Sequence, residues 1–110
     1  MKVADIITAL ELEILCLSDS ERKIDGVYTG DLLSWVMGRL TDGNVWVTIM
    51  NNINIVAVAS LADASCIILT ENSEISQEVL DKASANGINI LRTAKSSYEI
   101  CCMLGKILDA

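Results

Sequence analysis

Apolar residues are densest between residues 45 and 70, and the predicted fold is arranged around this stretch. Residues 45–49 are β-branched or aromatic throughout, and residues 66–69 form a second short apolar run. Such runs are typical of strands buried on both faces, as in a parallel sheet. Residues 52–62 lie between them, and after Asn52 their only polar side chains are Asn54 and Ser60. Their length and alanine content predict a helix, so the stretch is a β-α-β unit.

A helix that is apolar on nearly every side needs cover on more than one side. The predicted sheet covers one side of residues 52–62, and a chain of 110 residues has few further elements with which to cover the other. We therefore expect a second copy of the chain to supply the missing cover, which makes the protein a homodimer.

The segments before this unit predict two helices and two extended pieces. Apolar side chains at i, i+3, i+4 and i+7 predict a helix at residues 3–10, and residues 12–17 predict a strand. Residues 26–30 form a short extended piece between two glycines. A helix is expected from Asp31, as N-cap or first-turn acid, to about Met37, with Gly38 ending it.

The segments after the unit continue the alternation of helices and strands. Ser76 is the expected N-cap of a helix that ends near Gly87, and residues 88–91 predict a strand. Ser96 and Glu99 have the spacing of a capping box that begins a last helix. The pattern predicts one α/β domain over residues 1–110, a three-layer α/β/α arrangement with a mostly parallel sheet of about five strands.

Composition narrows the classes of partner. The net charge of −7 argues against nucleic acid and against an anionic membrane surface. No apolar run approaches the roughly 20 residues that span a bilayer. An acid at position 5 lies where a signal peptide has its apolar region, so we expect a cytoplasmic protein.

No set of residues typical of catalysis or of metal binding is present in the sequence. The chain has four cysteines and no histidine, which argues against a zinc site and removes the commonest general base. Cys16 and Cys66 are expected as buried apolar residues, whereas Cys101 or Cys102 is a candidate reactive thiol if it faces solvent. Asp31 has two interpretations, a helix cap or a functional carboxylate. We expect no catalytic residues, no metal and no cofactor.

The carboxyl ends of the predicted strands carry the candidate ligand-binding residues. In an open parallel sheet, ligands bind outside these ends, near helix N-termini that favour anions. Amides, hydroxyls and two cations, Arg92 and Lys95, meet there, which suits a small polar or phosphorylated ligand. An alternative is that they are ordinary caps and turn residues. The candidate residues are Thr48, Asn51, Asn52, Asn54, Thr70, Asn72, Arg92 and Thr93.

The joint order of five segments resembles that of stand-alone DRTGG-domain proteins. These segments are residues 26–38 (GVYTGDLLSWVMG), 46–49, 54–59, 64–70 and 87–91. The domain is similar to the N-terminal domain of HPr kinase/phosphorylase and also occurs in some phosphate acetyltransferases and between the CBS regions of some inorganic pyrophosphatases. The resemblance implies a three-layer α/β fold, frequent dimerisation and a non-catalytic, regulatory role.

The residues that name the family are mostly replaced in this chain. By position, the Asp-Arg pair of the family falls near Asn51 and Asn52. The Thr-Gly-Gly falls near Thr70, Glu71 and Asn72, so only the threonine is kept.

Three functional hypotheses follow from the sequence. The first is a non-catalytic regulatory or ligand-sensing module that acts as a homodimer and binds a small anionic ligand. The second is a protein-interaction subunit of a larger metabolic or signalling complex, which uses the same apolar face. The third is an enzyme or redox protein that uses Asp31 or the Cys101/Cys102 pair.

Overall fold

The computed structural model describes residues 1–108 and contains one five-stranded sheet in the order β1-β5-β4-β3-β2. Strands β2 to β5 are mutually parallel, and β1 runs antiparallel to β5 at one edge. The predicted α/β fold with a mostly parallel sheet is therefore confirmed. The strands are β1 (Glu13–Cys16), β2 (Val27–Thr29), β3 (Val45–Thr48), β4 (Cys66–Leu69) and β5 (Ile90–Arg92).

Five helices pack on the sheet, and all of them were expected from the sequence pattern. They are α1 (Val3–Leu10), α2 (Leu33–Arg39), α3 (Asn54–Ala62), α4 (Gln77–Ala85) and α5 (Ser97–Ile107). Ser76 caps α4 by accepting a hydrogen bond from the Val79 amide, and Ser96 and Glu99 form the predicted capping box of α5. Within residues 1–108, no helix is long and apolar enough to cross a bilayer.

The two central strands are buried on both faces, as their composition predicts. Every residue of β3 and β4 is buried, and alternate side chains point into two separate cores. Trp46 and Ile67 belong to the core beneath α2, α3 and α4. Val47 and Ile68 belong to the core beneath α1 and α5. Helices therefore cover both faces, which gives the three layers.

Helix α3 leaves one large apolar side chain exposed on its outer side. The sheet-facing side of α3, with Ile55, Val56 and Ala59, is fully buried, but Leu61 on the outer side is 81% exposed. Helix α2 lies beside α3 and buries only Val36 completely. Helix α4 packs on α3 as well, and the other exposed residues of α3 are Asn54, Ala57 and Ser60, so the apolar surface left uncovered on this helix is smaller than expected.

The start and end of α2 differ from the sequence prediction. Asp31 does not cap the helix, because its carboxylate instead accepts hydrogen bonds from the Thr48 hydroxyl (2.8 Å) and the Ile49 amide (3.0 Å). Leu32 occupies the N-cap position in an extended conformation. Gly38 does not end the helix either, since the chain turns extended only at Leu40, whose side chain is anchored in the core.

Strand β1 pairs with β5, and the turn that follows β1 is held beside the parallel strands by Asn89, a nearly fully buried amide. Its Oδ1 accepts hydrogen bonds from the amides of Ser18 (2.8 Å) and Asp19 (2.9 Å). Its Nδ2 donates to the carbonyls of Asp19 (2.8 Å) and Ser65 (3.0 Å). Strand β1 also has an irregular register between Ile14 and Cys16, where the intervening residue forms a bulge.

The turn after β4 holds two consecutive residues in the left-handed conformation. Glu71 has φ 58° and Asn72 has φ 51°. Glycine adopts this region freely and asparagine tolerates it, whereas glutamate is disfavoured there. These are the positions to which the resemblance assigns the two family glycines, and the backbone of the turn is one that suits glycine.

We predict that Asn89→Ala lowers the free energy of unfolding by about 3 kcal/mol, because several buried backbone groups lose their partner. Urea unfolding followed by circular dichroism measures the loss. Asn86→Ala is the control, since Asn86 is exposed and its side chain donates only to the Lys82 carbonyl. An equal loss in both variants would show that Asn89 has no special bridging role.

We also predict that Glu71→Gly raises the free energy of unfolding by about 1 kcal/mol, because glycine relieves the left-handed strain at this position. Thermal unfolding of the variant is the measurement. Glu71→Ala removes the same charge but keeps a Cβ, so its stability should stay close to that of the wild type. Glycine and alanine variants of equal stability would contradict the prediction.

Candidate functional site

The carboxyl ends of β2, β3, β4 and β5 lie along one edge of the sheet, because these strands are parallel. We call this the carboxyl edge. All eight candidate ligand-binding residues are at this edge or in the loops that leave it. They do not form one cluster, and the hydrogen bonds of each side chain decide what it can do there.

Two of the three threonines in the candidate set, Thr48 and Thr70, are buried and bonded inside the protein. The Thr48 hydroxyl donates to Asp31 and accepts a hydrogen bond from the Met50 amide (3.1 Å). The Thr70 hydroxyl lies 2.9 Å from the hydroxyl of Ser97, at the start of α5. These hydroxyls fix the shape of the carboxyl edge.

The three asparagines after β3 are exposed, and two have structural partners. Asn51 donates from Nδ2 to the Glu74 carbonyl (2.6 Å), and Asn52 accepts a hydrogen bond from the Asn54 amide (2.9 Å). Asn54 itself is the first residue of α3. Asn51 therefore joins the loop after β3 to the loop after β4.

Three candidate residues, Asn72, Arg92 and Thr93, line one groove beyond the end of β5. Its volume is about 230 Å³, and Lys95 and two carboxylates, Glu11 and Glu13, complete its polar lining. The groove thus brings together residues from the loops after β4 and β5. Lys95 follows β5 and was expected at this edge, whereas Glu11 and Glu13 enter the groove because β1 pairs with β5, a neighbour that the sequence pattern does not specify.

The charge of Arg92 is neutralised in the groove by Glu13. Its guanidinium donates to both carboxylate oxygens of Glu13, from Nε at 3.0 Å and from Nη2 at 2.8 Å. Hydrogen bonding to Arg92 lowers the pKa of Glu13, and the same pair raises the pKa of Arg92. The carboxylate is therefore charged at neutral pH, and the pair breaks as pH falls through the lowered pKa of Glu13.

Ser73 is a central residue of the carboxyl edge that the sequence analysis did not select. Its carbonyl accepts a hydrogen bond from Nη1 of Arg92 (3.3 Å), and its hydroxyl donates to the carbonyl of Ile49 (2.8 Å). It lies in a polar link of four residues, where a serine gives no distinguishing signal. Its hydrogen bonds form only because the fold brings Ile49, after β3, and Arg92, at the end of β5, next to it.

The cysteines differ in their surroundings. Cys66 is buried in β4 as expected, and burial raises the pKa of its thiol to about 12. Cys16 is half-buried, less than expected. Cys101 is also half-buried, and burial raises its pKa, while Cys102 is the exposed member of the pair. Over the described chain, no group of three or more cysteine, aspartate or glutamate side chains is placed to hold a metal ion.

A second feature is a set of three exposed apolar side chains on α2 and its N-cap residue. Leu32 is 60% exposed, Trp35 54% and Met37 58%, and we call these residues the α2 surface. The guanidinium of Arg39 lies 3.9 Å from the centre of the Trp35 ring. Leu32 is the N-cap residue and lies three positions before Trp35, so these two share one side of α2, whereas Met37, two positions after Trp35, points to another side.

The fold matches that of a solved regulatory region. Over 94% of this chain, the structure superposes with a TM-score of 0.74 on the CBS and DRTGG domains of the regulatory region of Clostridium perfringens pyrophosphatase, complexed with its activator diadenosine tetraphosphate. The identity is 15%, and the match spans 45% of that chain, so the likeness shows a shared fold. No protein of curated function matches this chain.

The family model for the DRTGG domain matches residues 5–107, nearly the whole chain. This match agrees with the order of segments in the sequence and with the left-handed turn at the positions of the two family glycines. The chain belongs to the DRTGG domain family.

Proposed function

We propose that this protein is a non-catalytic regulatory module that acts as a homodimer and senses a small anionic ligand at its carboxyl edge. Membership of the DRTGG family supports a regulatory role, as does the shared fold with a pyrophosphatase regulatory region that binds a nucleotide activator. The single observation that carries the ligand proposal is the groove in which Asn72, Arg92, Thr93 and Lys95 converge.

The chemistry of the groove suits one phosphoryl-sized group. Its volume of about 230 Å³ is below the range of roughly 300–1,000 Å³ for drug-sized ligands, so the remainder of a larger ligand would lie across the open edge. Asn72 and Thr93 supply neutral polar groups, while Lys95 and Arg92 supply positive charge. An anion has to compete with Glu13 for Arg92, which favours weak and reversible binding.

The α2 surface supports the homodimer. Helix α2 packs over the core that also lies beneath α3 and α4. Three of its apolar residues are nevertheless more than half exposed, namely Leu32, Trp35 and Met37. A two-fold dimer places the same surface of both copies in contact, so Leu32 and Trp35, which share one side of α2, gain cover from the partner's copy. A tryptophan at the centre of such a contact contributes strongly to binding.

The same surface also supports the second candidate function, a protein-interaction subunit. A different polypeptide that covers Leu32 and Trp35 would satisfy the same exposed area. Isolation of the native protein separates the two candidates, because a homodimer is recovered alone and a subunit is recovered with a stoichiometric second polypeptide.

We predict that Glu13→Gln strengthens and Lys95→Gln weakens the binding of diadenosine tetraphosphate, each by about five-fold, or about 1 kcal/mol. The first substitution frees Arg92 and removes a negative charge, and the second removes a positive charge. Isothermal titration calorimetry measures both affinities, with inorganic pyrophosphate as a second probe.

Glu78→Gln on α4 is the matched control, because it removes one negative charge outside the groove and should leave the affinity within two-fold. Absence of binding by the wild type to both probes would contradict an anionic-ligand site. Equal effects of Glu13→Gln and Glu78→Gln would place the ligand elsewhere.

We predict that Trp35→Ser weakens dimerisation by about 30-fold, or about 2 kcal/mol, because the substitution removes a large apolar contact. Sedimentation velocity across a concentration series measures the dissociation constant. Tyr98→Ser is the control, since Tyr98 is an aromatic residue on α5 that is 77% exposed. A monomeric wild type at micromolar concentration, or equal effects of the two substitutions, would contradict the proposed interface.

A further inference from the structure

We propose that Ser73 is a positioning residue that couples ligand binding in the groove to the α2 surface. The inference rests on the proposed function and adds the regulation that links its two sites. It is based on a continuous series of hydrogen bonds along the carboxyl edge, in which Ser73 joins the two halves.

The series begins in the groove. Arg92 donates to both oxygens of Glu13, and its remaining terminal nitrogen Nη1 donates to the Ser73 carbonyl at 3.3 Å. One guanidinium therefore contacts both the groove wall and the loop after β4. An anion that draws Arg92 away from Glu13 changes the position of the nitrogen that holds Ser73.

The series then crosses from the loop after β4 to the loop after β3. The Ser73 hydroxyl donates to the Ile49 carbonyl at 2.8 Å, and nearby Asn51 donates to the Glu74 carbonyl at 2.6 Å. The two loops are thus tied together at two adjacent points, so a displacement of residues 73–74 moves the residues that follow β3.

The last step reaches α2 through Asp31. The Ile49 amide donates to Oδ1 of Asp31 at 3.0 Å, and the same oxygen accepts the Thr48 hydroxyl at 2.8 Å. Asp31 directly precedes Leu32, the N-cap residue of α2 and a member of the α2 surface. Ile49 is itself exposed, so the apolar area beside α2 also depends on the position of this loop.

The turn beside Ser73 is the part of this series that can switch between two backbone conformations. Glu71 and Asn72 are both left-handed, and Asn72 also lines the groove. The amides of Glu71 and Asn72 are held by the carbonyls of Lys95 (2.9 Å) and Thr93 (2.9 Å). A residue in a disfavoured backbone conformation releases strain when its supports move, and strain of this kind concentrates at switch regions. Ligand in the groove acts directly on these supports.

The first test measures the coupling without any ligand. Arg92→Gln removes the guanidinium from Ser73, and we expect solvent exchange of the Ile49 amide to accelerate about ten-fold, measured by NMR. In a Ser73→Ala background, Arg92→Gln should change this rate less than two-fold, because the connection is already broken. The Val47 amide, buried in β3, serves as the internal reference.

The second test measures the coupling between ligand and dimer. In the wild type, saturating diadenosine tetraphosphate should shift the dimer dissociation constant at least five-fold in sedimentation velocity. By reciprocity, dimerisation should shift the ligand affinity equally. Ser73→Ala should reduce the shift to less than two-fold while still binding ligand and dimerising. Ser73→Thr keeps a hydroxyl and should restore the shift, and Ser84→Ala on α4 should leave it unchanged.

The outcomes separate this inference from the proposed function. An Ile49 exchange rate that is the same in wild type and Arg92→Gln overturns the coupling, whatever the ligand does. A wild type that binds ligand and dimerises with no shift, or a Ser73→Ala variant that keeps the full shift, also overturns it. A wild type that binds neither probe overturns the proposed function, and the exchange measurement then still decides whether Ser73 connects the two sites.

Discussion

The burial of β3 and β4 on both faces is the constraint on which the rest of the structure depends. Every side chain of these two strands is enclosed, so helices must cover the sheet on both sides. Polar groups are excluded from the strands themselves and are confined to the points where the strands end. The buried polar side chains accordingly lie at both ends of the strands, with Asn44, Ser65 and Asn89 before β3, β4 and β5 and with Thr48 and Thr70 at the carboxyl edge. The polar chemistry at the carboxyl edge follows from a sheet interior that admits almost no polar side chains.

Periodicity in the sequence predicts most of this arrangement. The apolar runs at residues 45–49 and 66–69 predict buried strands, and the spacing of Ser96 and Glu99 predicts the start of α5, because these signals depend only on near neighbours. The expectation that Asp31 caps α2 was wrong, because its hydrogen-bond partners are distant in the sequence. Its partners, Thr48 and Ile49, lie 17 and 18 positions away, and no local pattern reveals that a carboxylate will choose them over its own helix.

Three of the eight candidate residues line the groove and five lie elsewhere along the carboxyl edge, and their role in binding stays a prediction. A rule about parallel sheets places the candidate site at the strand ends, and Asn72, Arg92 and Thr93 do share a groove there. Glu13 and Ser73 are not among the candidates, because their hydrogen bonds join residues distant in the sequence. Glu13 bonds to Arg92, and Ser73 bonds to Ile49. The turn at Glu71 and Asn72 shows that backbone conformation and residue type need not match. Both residues have a left-handed backbone that glycine adopts freely, although neither of them is glycine.

The bulge in β1 has a consequence for how copies of the molecule can meet. A straight strand at the rim of a sheet offers backbone groups to which another chain can add, then another, without limit. The extra residue between Ile14 and Cys16 interrupts that template and twists the rim out of register with any incoming strand. Growth by strand addition is thereby discouraged on this side, and association is left to helical surfaces, where two-fold contact closes on itself.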